Sequence, residues 1–440
     1  MILMIYRIMN KHSCWCGFAI RANIFRQTFH LTLTGFQTLL GFRSESAVIA
    51  GLTRNPLKHL ILILLLTSCI SDYTPVGVAD TAGILVVEGM IVVNGQTTIK
   101  LSRTVKLYDK FPKNAVYVQN ANIQLIDEEN RIIAVARQQT VAGMPVPGMY
   151  EINDEIFFMP GMKYALDIRI GNSHYRSAFI ESVHTPEIDE VSWNVNEDNS
   201  MDIMVSTHDP ANQTKYFLWR FEEDWEITAP LRAVYRYDPD TKKVVESDRY
   251  RCWNSDKSKS LLLGASDRLS ETVIINKKIH YIQPNDPRFC SLYSILVKQY
   301  GLDREAYDFF DKLQQHVDQS GSLFAPQPSE KEGNIQCLSN PDEPVIGYMA
   351  IAREVTHRLY IDIEQLNLFY LFRHYECETT PWDNVPNIFI PNIDYAYAIG
   401  LGIYEVTGPG SYRCSPIRCV DCTVSGGTKN KPDFWPNHNK

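Results

Sequence analysis

One short apolar run near the N-terminus constrains where this 440-residue chain can fold. Residues 60–66 are all Leu or Ile, and the basic pair Lys58-His59 precedes them. Seven apolar residues are far fewer than the roughly 20 that span a bilayer. When small residues follow, such a run is typical of the short h-region of a cleavable export signal. The sequence therefore predicts that the folded part of the chain lies outside the cytoplasm.

The tetrapeptide at 66–69, Leu-Thr-Ser-Cys, resembles the lipobox of bacterial lipoprotein signals. The resemblance implies that the thiol of Cys69 receives a diacylglyceryl group, that the leader is cleaved before this residue, and that the new amino group is acylated. Two or more acyl chains suffice for stable anchoring in a membrane. The alternative is a buried strand or helix that ends in an ordinary cysteine.

The predicted signal divides the N-terminal region into two parts. Residues 1–68 form a leader with the signal peptide, and residues 69–83 form a polar, lipid-anchored tether that is expected to be flexible. Residues 1–56 contain no patterned element that leads into the signal. One interpretation is a mis-assigned start, with translation beginning at Leu57 if a TTG codon encodes it. The other is a genuine amino-terminal extension.

The charge of the exported part limits its partners. The leader holds seven of the 43 basic residues and one of the 51 acidic residues, which leaves 36 basic and 50 acidic residues and a formal net charge of −14. Phosphate partners would be repelled at long range, so the balance argues against a surface for nucleic acid or anionic lipid. It indicates a neutral, cationic or metal-bearing ligand instead.

Cysteine usage agrees with export. Seven cysteines follow Cys69 in the sequence: Cys252, Cys290, Cys337, Cys377, Cys414, Cys419 and Cys422. Disulfides are the default expectation in an oxidising compartment, and an odd number leaves one thiol over. The cluster of Cys414, Cys419 and Cys422 is the candidate disulfide site. Zinc binding with further ligands, a redox-active Cys-x-x-Cys pair and unpaired thiols stay open as alternatives.

Short strands dominate residues 84–185. A β-rich segment at 84–93 is followed by Asn94-Gly95, a strong hairpin signal, and by an alternating return at 97–101. A second hairpin is predicted at 121–126 and 131–136. About seven strands in a hundred residues indicate an antiparallel sandwich.

This first domain resembles the immunoglobulin-like sandwiches of the prealbumin and carboxypeptidase-regulatory types. The residues that carry the resemblance are Gly-Met-Tyr at 148–150 and the Pro-Gly-x-x-Tyr-x-Leu motif at 160–166. The resemblance implies the architecture alone. Thr185-Pro186 ends the domain, because proline cannot donate to a sheet ladder and holds the preceding residue extended.

The second domain, residues 186–440, is predicted to be larger and β-rich, with a cysteine-rich C-terminus. Asp303 is a candidate N-cap, and apolar residues at helical spacing after it predict one amphipathic helix near 304–318. Residues 232–287 look polar and irregular. Strands at 345–352 and 356–363 are predicted to form a hairpin. Several aromatic residues, among them Trp219 and Trp225, could line a groove, although most are expected in the core.

Signals of catalysis and cofactor binding are missing from the sequence. It contains no Gly-x-Ser-x-Gly elbow, no His-Glu-x-x-His zinc helix, no phosphate-binding glycine loop and no Rossmann fingerprint. The eleven histidines show no metal-ligand spacing. We therefore predict no catalytic residue, no metal ligand and no cofactor.

Three blocks of sequence carry a resemblance to a known family. The first is GSLFAPQPS at 321–329 with Gly-Asn-Ile at 333–335, the second is NPDEPVIGY at 340–348, and the third is CVDCT at 419–423 with GGT and KPDFW up to residue 435. Together with the lipobox and the opening LVVEG at 85–89, they resemble the domain-of-unknown-function 4249 lipoproteins of Bacteroidota. The resemblance covers the chain from Cys69 to the C-terminus.

That family has no assigned activity, but its members resemble accessory lipoproteins of the outer membrane, often encoded beside TonB-dependent receptors. Such receptors import bulky nutrients or metal chelates. The resemblance thus implies a non-enzymatic lipoprotein that binds a small ligand or docks on such a receptor. The alternatives are an envelope hydrolase or metal-dependent enzyme, with a site in residues 232–287 or beside the C-terminal cysteines, and a structural envelope-assembly protein. Only one acid, Asp72, closely follows Cys69, so the sequence leaves open which face of the outer membrane the protein occupies.

Overall fold

The computed structural model describes residues 83–105, 116–153, 156, 158–159, 161–319, 333–366, 368, 377–383 and 392–437. Residues 80–440 belong to one compact unit. The leader, Cys69 and nearly all of the predicted tether lie outside the described residues. Within them the fold is mainly β, as the sequence predicts, while the immunoglobulin-like type of the first domain stays a prediction.

The strands in chain order are β1 Leu85–Val92, β2 Thr97–Arg103, β3 Asn122–Asp127, β4 Ile132–Val141, β5 Met144–Ile152, β6 Lys163–Ile170, β7 Ser173–Ser177, β8 Ile180–Glu181, β9 Ile188–Val195, β10 Met201–Asp209, β11 Tyr216–Thr228, β12 Tyr235–Asp238, β13 Lys243–Glu246, β14 Arg251–Lys257, β15 Leu262–Ala265, β16 Thr272–Ile282, β17 Leu292–Leu302, β18 Ile335–Cys337, β19 Val345–Ile346, β20 Ile351–Ala352, β21 Glu354–Asp362, β22 Thr380–Asp383, β23 Leu401–Gly408 and β24 Ser411–Pro416. The helices are α1 Arg304–Gln319, α2 Ile393–Ala398 and α3 Ile417–Val420. Short 3-10 turns lie at Pro287–Phe289, Ile363–Leu366 and Cys422–Ser425.

The first module is one sheet with the strand order β18-β7-β6-β3-β4-β5-β2-β1-β19. Its core contains side chains from both halves of this order, such as Leu101 and Tyr150 from one half and Leu166 and Tyr175 from the other. The sheet therefore closes over a single core. Both predicted hairpins are confirmed, because β1 pairs antiparallel with β2 and β3 with β4.

Three strands of this sheet come from far along the chain. β18 pairs with β7, while β19 pairs with the start of β1 and β20 with its end, both in parallel. The predicted hairpin of 345–352 with 356–363 is therefore wrong, because β21 pairs with β17 instead. Strands of two or three residues are too short for a periodic pattern, so their partners could not be inferred from the sequence.

The second module is a sandwich of two sheets. One has the order β16-β10-β9, and the other has the order β14-β11-β17-β21 with β15 beside β11. Trp219 and Trp225 lie in the core between them and do not line a groove. Residues 232–287 hold five strands, β12 to β16, so the prediction of irregular structure was wrong there. Residues 275–278 of β16 are exposed on both faces, which interrupts the alternation expected of a strand.

A separate apolar cluster joins the two modules. Met90 and Val92 lie on the face of β1 that is turned away from the first core, and they pack with Leu218, Tyr300 and Phe310. The helix α1 supplies Phe310, and Asp303 caps this helix by accepting a hydrogen bond from the Ala306 N–H at 2.7 Å. β1 therefore belongs to two cores at once.

The C-terminal module consists of a three-stranded sheet, β22-β24-β23, packed on the hairpin β12–β13. Its core contains Tyr237, Ile403 and Cys414. Cys419 and Cys422 follow β24 in and after the short helix α3. None of the helices in the described ranges combines the length and apolar character needed to cross a bilayer.

Candidate functional site

A cleft of about 420 Å³ opens where the hairpin β1–β2 of the first module meets β11, β17 and β21 of the second. We call it the basic cleft. Six of its lining residues carry formal charge: Arg220, Glu222, Lys257, Lys259, Lys298 and Glu354. Four are cationic and two are anionic, so the lining is positive although the chain as a whole has a formal net charge of −8. A negatively charged or hydroxyl-rich ligand fits this lining.

One carboxylate positions two of the lysines. Glu222 Oε1 accepts hydrogen bonds from Lys257 Nζ at 3.1 Å and from Lys298 Nζ at 3.0 Å. Burial alone would raise the pKa of Glu222, but the hydrogen bonds and charges of Lys298 and Lys257 outweigh it and hold the pKa below its ordinary value. Glu222 is therefore ionised near neutral pH and keeps both ammonium groups at the mouth of the cleft.

The back of the cleft is rigid. The hydroxyl of Tyr300 donates to Glu354 Oε2. Burial and this carboxylate raise the pKa of Tyr300 well above its ordinary value, so the phenol stays protonated. Asn94 fixes the backbone of Glu354 from the first module, donating to its carbonyl at 3.0 Å and accepting from its N–H at 2.9 Å. The turn that the sequence marks as a hairpin signal thus also joins the two modules beside the cleft.

Arg220 is the cation best placed for a ligand. It lies on β11 opposite Lys298 in the register, and its side chain is exposed. Among the described residues it has neither an ion pair nor a side-chain hydrogen bond. A guanidinium without a protein partner can offer bidentate hydrogen bonds to a carboxylate or phosphate. Sequence analysis missed this residue because its neighbours in the cleft include residues of other strands more than 30 residues away in the sequence.

A second cluster of titratable groups lies apart from the basic cleft, at one end of the second sandwich. Glu223 accepts hydrogen bonds from Arg288 Nη2 at 2.7 Å and from the Tyr293 hydroxyl at 2.8 Å, and His280 Nε2 lies 3.1 Å from its carboxylate. The Arg288 guanidinium also stacks on Trp225, 4.7 Å from the ring centroid. Glu223 is 2% exposed and Tyr293 is fully buried. This enclosure indicates a structural role for the cluster.

The cluster makes a prediction for acid stability. Burial tends to raise the pKa of Glu223, but His280 and Arg288 outweigh it and hold the pKa below about 4.5, its ordinary value. A carboxylate with a lowered pKa stabilises the fold fully above its unfolded pKa, and this contribution is lost as the pH falls through the folded pKa. We expect the melting temperature to stay level from neutral pH to about pH 5 and to fall below about pH 4.5.

Thermal unfolding measured across this pH series checks the prediction. The matched variant is Glu223→Gln, which keeps the size of the side chain and removes the titrating group. Its acid-dependent fall should be shallower than that of the unaltered chain, although it is less stable at neutral pH. A fall as steep as in the unaltered chain would assign the acid sensitivity to other carboxylates.

A family model shows where this chain belongs. The model of the domain of unknown function DUF4249 matches residues 70–358. The chain belongs to the DUF4249 family. No match was found among curated proteins. The basic cleft lies within the matched residues, since its lining extends from Met90 to Glu354.

Two of the three blocks that suggested this family lie within the matched residues. Residues 321–329 of the first block lie outside the described residues, and the described parts, 333–335 and 340–348, lie where β18, β19 and β20 join the first sheet. In the first block, Asn334 donates to the carbonyl of Met349 at 2.9 Å and accepts from its N–H at 2.8 Å. In the second block, a Cβ on Gly347 would lie 2.2 Å from the carbonyl oxygen of Val87, so only glycine fits there. These residues hold β19 and β20 against β1.

The third block lies beyond the matched residues and closes the second sandwich. Trp435 is 3% exposed and donates its indole N–H to Glu226 at 3.1 Å. The Phe434 carbonyl accepts from the Tyr360 hydroxyl at 3.0 Å, and Arg358 stacks on the Phe434 ring at 3.6 Å. The block, which we call the C-terminal clamp, therefore holds this part of the chain against the sheet. It supplies no lining residue of the basic cleft.

Two of the three cysteines of the candidate disulfide cluster bond to distant partners, and the prediction of a disulfide is wrong for the third, Cys414. Cys422 bonds to Cys252 of β14, and Cys419 bonds to Cys377. Cys414 holds a buried free thiol, and burial raises its pKa to about 11. The three cysteines are therefore close in sequence without sharing a bond. Their sulfurs are not arranged as a zinc site, and the described residues contain no group of three or more His, Cys, Asp or Glu side chains suited to a metal ion.

Proposed function

We propose that this DUF4249 protein is an outer-membrane lipoprotein, anchored through Cys69, that binds a negatively charged small ligand in the basic cleft and catalyses no reaction. The cleft carries the proposal, because its four cations and two carboxylates give a positive lining in a chain with excess negative charge. An isolated basic site on an acidic protein selects for compact anions over extended ones such as nucleic acid. The export signal and lipobox support the location.

The same proposal assigns the protein an accessory part in a TonB-dependent uptake system. A tethered binding protein raises the local concentration of its ligand near a transporter, because the tether confines it to the membrane surface. Negatively charged metal chelates and acidic sugars are cargo of suitable size for a 420 Å³ cleft. Purification of a tagged copy in mild detergent tests this part, and recovery without a β-barrel receptor would contradict it.

Ligand binding is tested with three probes: citrate, glucuronate and the neutral disaccharide maltose. We expect citrate and glucuronate to bind in isothermal titration calorimetry and to bind more weakly as salt is added. Replacement of Arg220 by Gln should weaken anion binding by about tenfold or more, because a charge-assisted hydrogen bond contributes roughly 1.5–3 kcal/mol. Because Arg220 is exposed, its replacement should leave the stability of the fold unchanged, and thermal unfolding of the variant verifies this.

The matched control is Arg413→Gln, which removes an exposed arginine of the C-terminal module that lies 3.6 Å from Glu405. It should leave anion binding unchanged. Equal weakening in both variants would mean that the anions respond to the overall charge of the protein. Anion binding that Arg220→Gln leaves intact would remove the cleft from the proposal.

The alternatives predicted from the sequence are separated by metal analysis. Zinc held by the C-terminal cysteines of a metal-dependent enzyme requires free thiolates, whereas Cys419 and Cys422 are in disulfides. Stoichiometric zinc in the purified protein, lost in a Cys419→Ala and Cys422→Ala variant, would favour the enzyme. A structural role in envelope assembly is favoured if neither anion nor receptor binds.

A further inference from the structure

The hairpin β4–β5 extends beyond the core of the first module. We call residues 137–147 the hairpin arm. No residue in this range is buried, whereas Ala136 before it and Gly148 after it are. Val141 lies opposite Met144 at the tip, and Ala142 and Gly143 form the turn with positive φ angles of 51° and 78°. With about 3.3 Å per residue, the arm projects roughly 15 Å from the sheet.

The tip of the arm is apolar and uncharged. Val141 is 62% exposed and Met144 is 71% exposed. Residues 138–149, QQTVAGMPVPGM, contain no charged side chain, although 21% of the chain is charged. An uncharged hairpin tip with two apolar side chains this exposed is unfavourable in water and suited to an apolar environment.

The strand registers place this tip at the end of the sheet where the tether enters. Lys100 of β2 lies opposite Met149 of β5, and the two strands are antiparallel. Moving along β5 from Met149 to the tip is therefore moving in the same direction as from Lys100 to Arg103 along β2. Arg103 lies opposite Leu85, the first residue of β1. The arm and the start of β1 therefore leave the sheet at the same end. Gly83, where the described residues begin, is hydrogen-bonded at that end to Arg103 through its carbonyl at 2.6 Å.

We infer that the hairpin arm inserts its tip into the lipid surface to which the protein is tethered. The inference rests on the proposed anchoring at Cys69. Thirteen residues lie between Cys69 and Gly83, and the flexible tether that the sequence predicts would have an end-to-end distance of about 20 Å at this length. An arm of roughly 15 Å at the same end of the sheet can reach across that gap. A hairpin tip without charge can enter the headgroup region, where apolar side chains bury about 5–10 Å deep.

Hydrogen exchange measured by mass spectrometry tests the inference. The lipidated protein in vesicles of phosphatidylethanolamine and phosphatidylglycerol is compared with the mature chain that carries Cys69→Ser, produced without the leader, in buffer. Amides of residues 140–147 should exchange about tenfold more slowly in the vesicles, because burial of one apolar side chain shifts an equilibrium by about that factor. The Asn94-Gly95 turn, at the opposite end of β1, should exchange equally in both samples.

The double variant Val141→Ser with Met144→Ser should lose the slower exchange at the tip while its lipid anchor remains. Its matched control is Ile275→Ser, which removes an apolar side chain that is 72% exposed on another sheet. That variant should keep the slower exchange. Equal exchange of the tip in vesicles and in buffer overturns the inference, and so does slowing that appears only when a partner protein is added.

Mass spectrometry of the N-terminus separates failure of the inference from failure of the anchor. A chain that lacks acyl groups on Cys69 refutes the anchoring proposal alone. The mature Cys69→Ser chain mixed with the same vesicles then tests the arm directly. Slower exchange confined to residues 140–147 would support insertion without an anchor, and unchanged exchange would overturn it.

Discussion

Removal of the Cys252–Cys422 disulfide is expected to lower the free energy of unfolding by about 5 kcal/mol. The bond joins residues 170 positions apart and therefore closes a very long loop. In the chain-entropy description, a cross-link stabilises the fold by restricting the unfolded chain, and a loop of this length gives an effect near the top of the known range. Urea unfolding of the Cys252→Ala and Cys422→Ala double variant, compared with the unaltered chain, measures the difference.

The second disulfide provides the matched control. Cys377 and Cys419 are 42 positions apart, so their removal should cost about 1 kcal/mol less than removal of the longer loop. Reduction of the unaltered protein with dithiothreitol should lower stability by more than either double variant does. The prediction fails if the Cys252→Ala and Cys422→Ala variant unfolds at the same urea concentration as the unaltered chain.

The packing around this bond explains the glycine pair of the third sequence block. A Cβ on Gly427 would lie 2.6 Å from Cβ of Cys252, and Gly426 has a φ of +85° that favours glycine. The bond and the block are therefore one structural unit. Cysteines spaced Cys-x-x-Cys suggested a shared local site, but each has its partner on a different segment. Spacing in sequence cannot show this, because connectivity depends on which strands the fold brings together.

The sequence predicted the local elements well and the long-range ones poorly. Alternating residues and the Asn94-Gly95 turn predicted the first hairpin, because these signals act between neighbours in the chain. The helix α1 follows from its N-cap and apolar spacing in the same way. The strands β18, β19 and β20 complete the first sheet from more than 150 residues away, and their two or three residues carry no pattern of their own.

The basic cleft could not have been found from the sequence. Its charged residues come from β11, β14, β17 and β21 and from the loop after β14, and each is an ordinary surface residue in its own strand. Overall charge favoured a neutral, cationic or metal-bearing ligand. The cleft has the opposite local sign, because the acidic residues are mostly distributed over other surfaces. Net charge describes attraction at long range and does not determine the lining of a particular site.

Replacement of Glu226 by Ala is expected to lower the free energy of unfolding by about 2–4 kcal/mol. The side chain is fully buried, and its carboxylate forms an ion pair with Arg251 Nε at 3.0 Å and accepts hydrogen bonds from the Trp435 indole at 3.1 Å and from the Ser291 hydroxyl at 3.3 Å. It thus connects β11 to β14, to the residue before β17 and to the C-terminal clamp. Alanine leaves the buried indole N–H without its partner and removes the ion pair, but the Arg251 side chain is 33% exposed, so water compensates part of its charge.

A double-mutant cycle with Trp435→Phe separates the charge from the clamp. Phe keeps most of the packing of Trp435 and removes its N–H, so this variant alone should cost about 1–3 kcal/mol, because it leaves a buried carboxylate oxygen with one partner fewer. When Glu226 is already Ala, the same change should cost less, since the hydrogen bond is already absent. Urea unfolding gives the four free energies. The prediction is wrong if the two unfolding free-energy changes are strictly additive, or if Glu226→Ala alone costs less than about 1 kcal/mol. Either result would show that apolar packing holds the C-terminal clamp and that the third sequence block does not depend on the buried carboxylate.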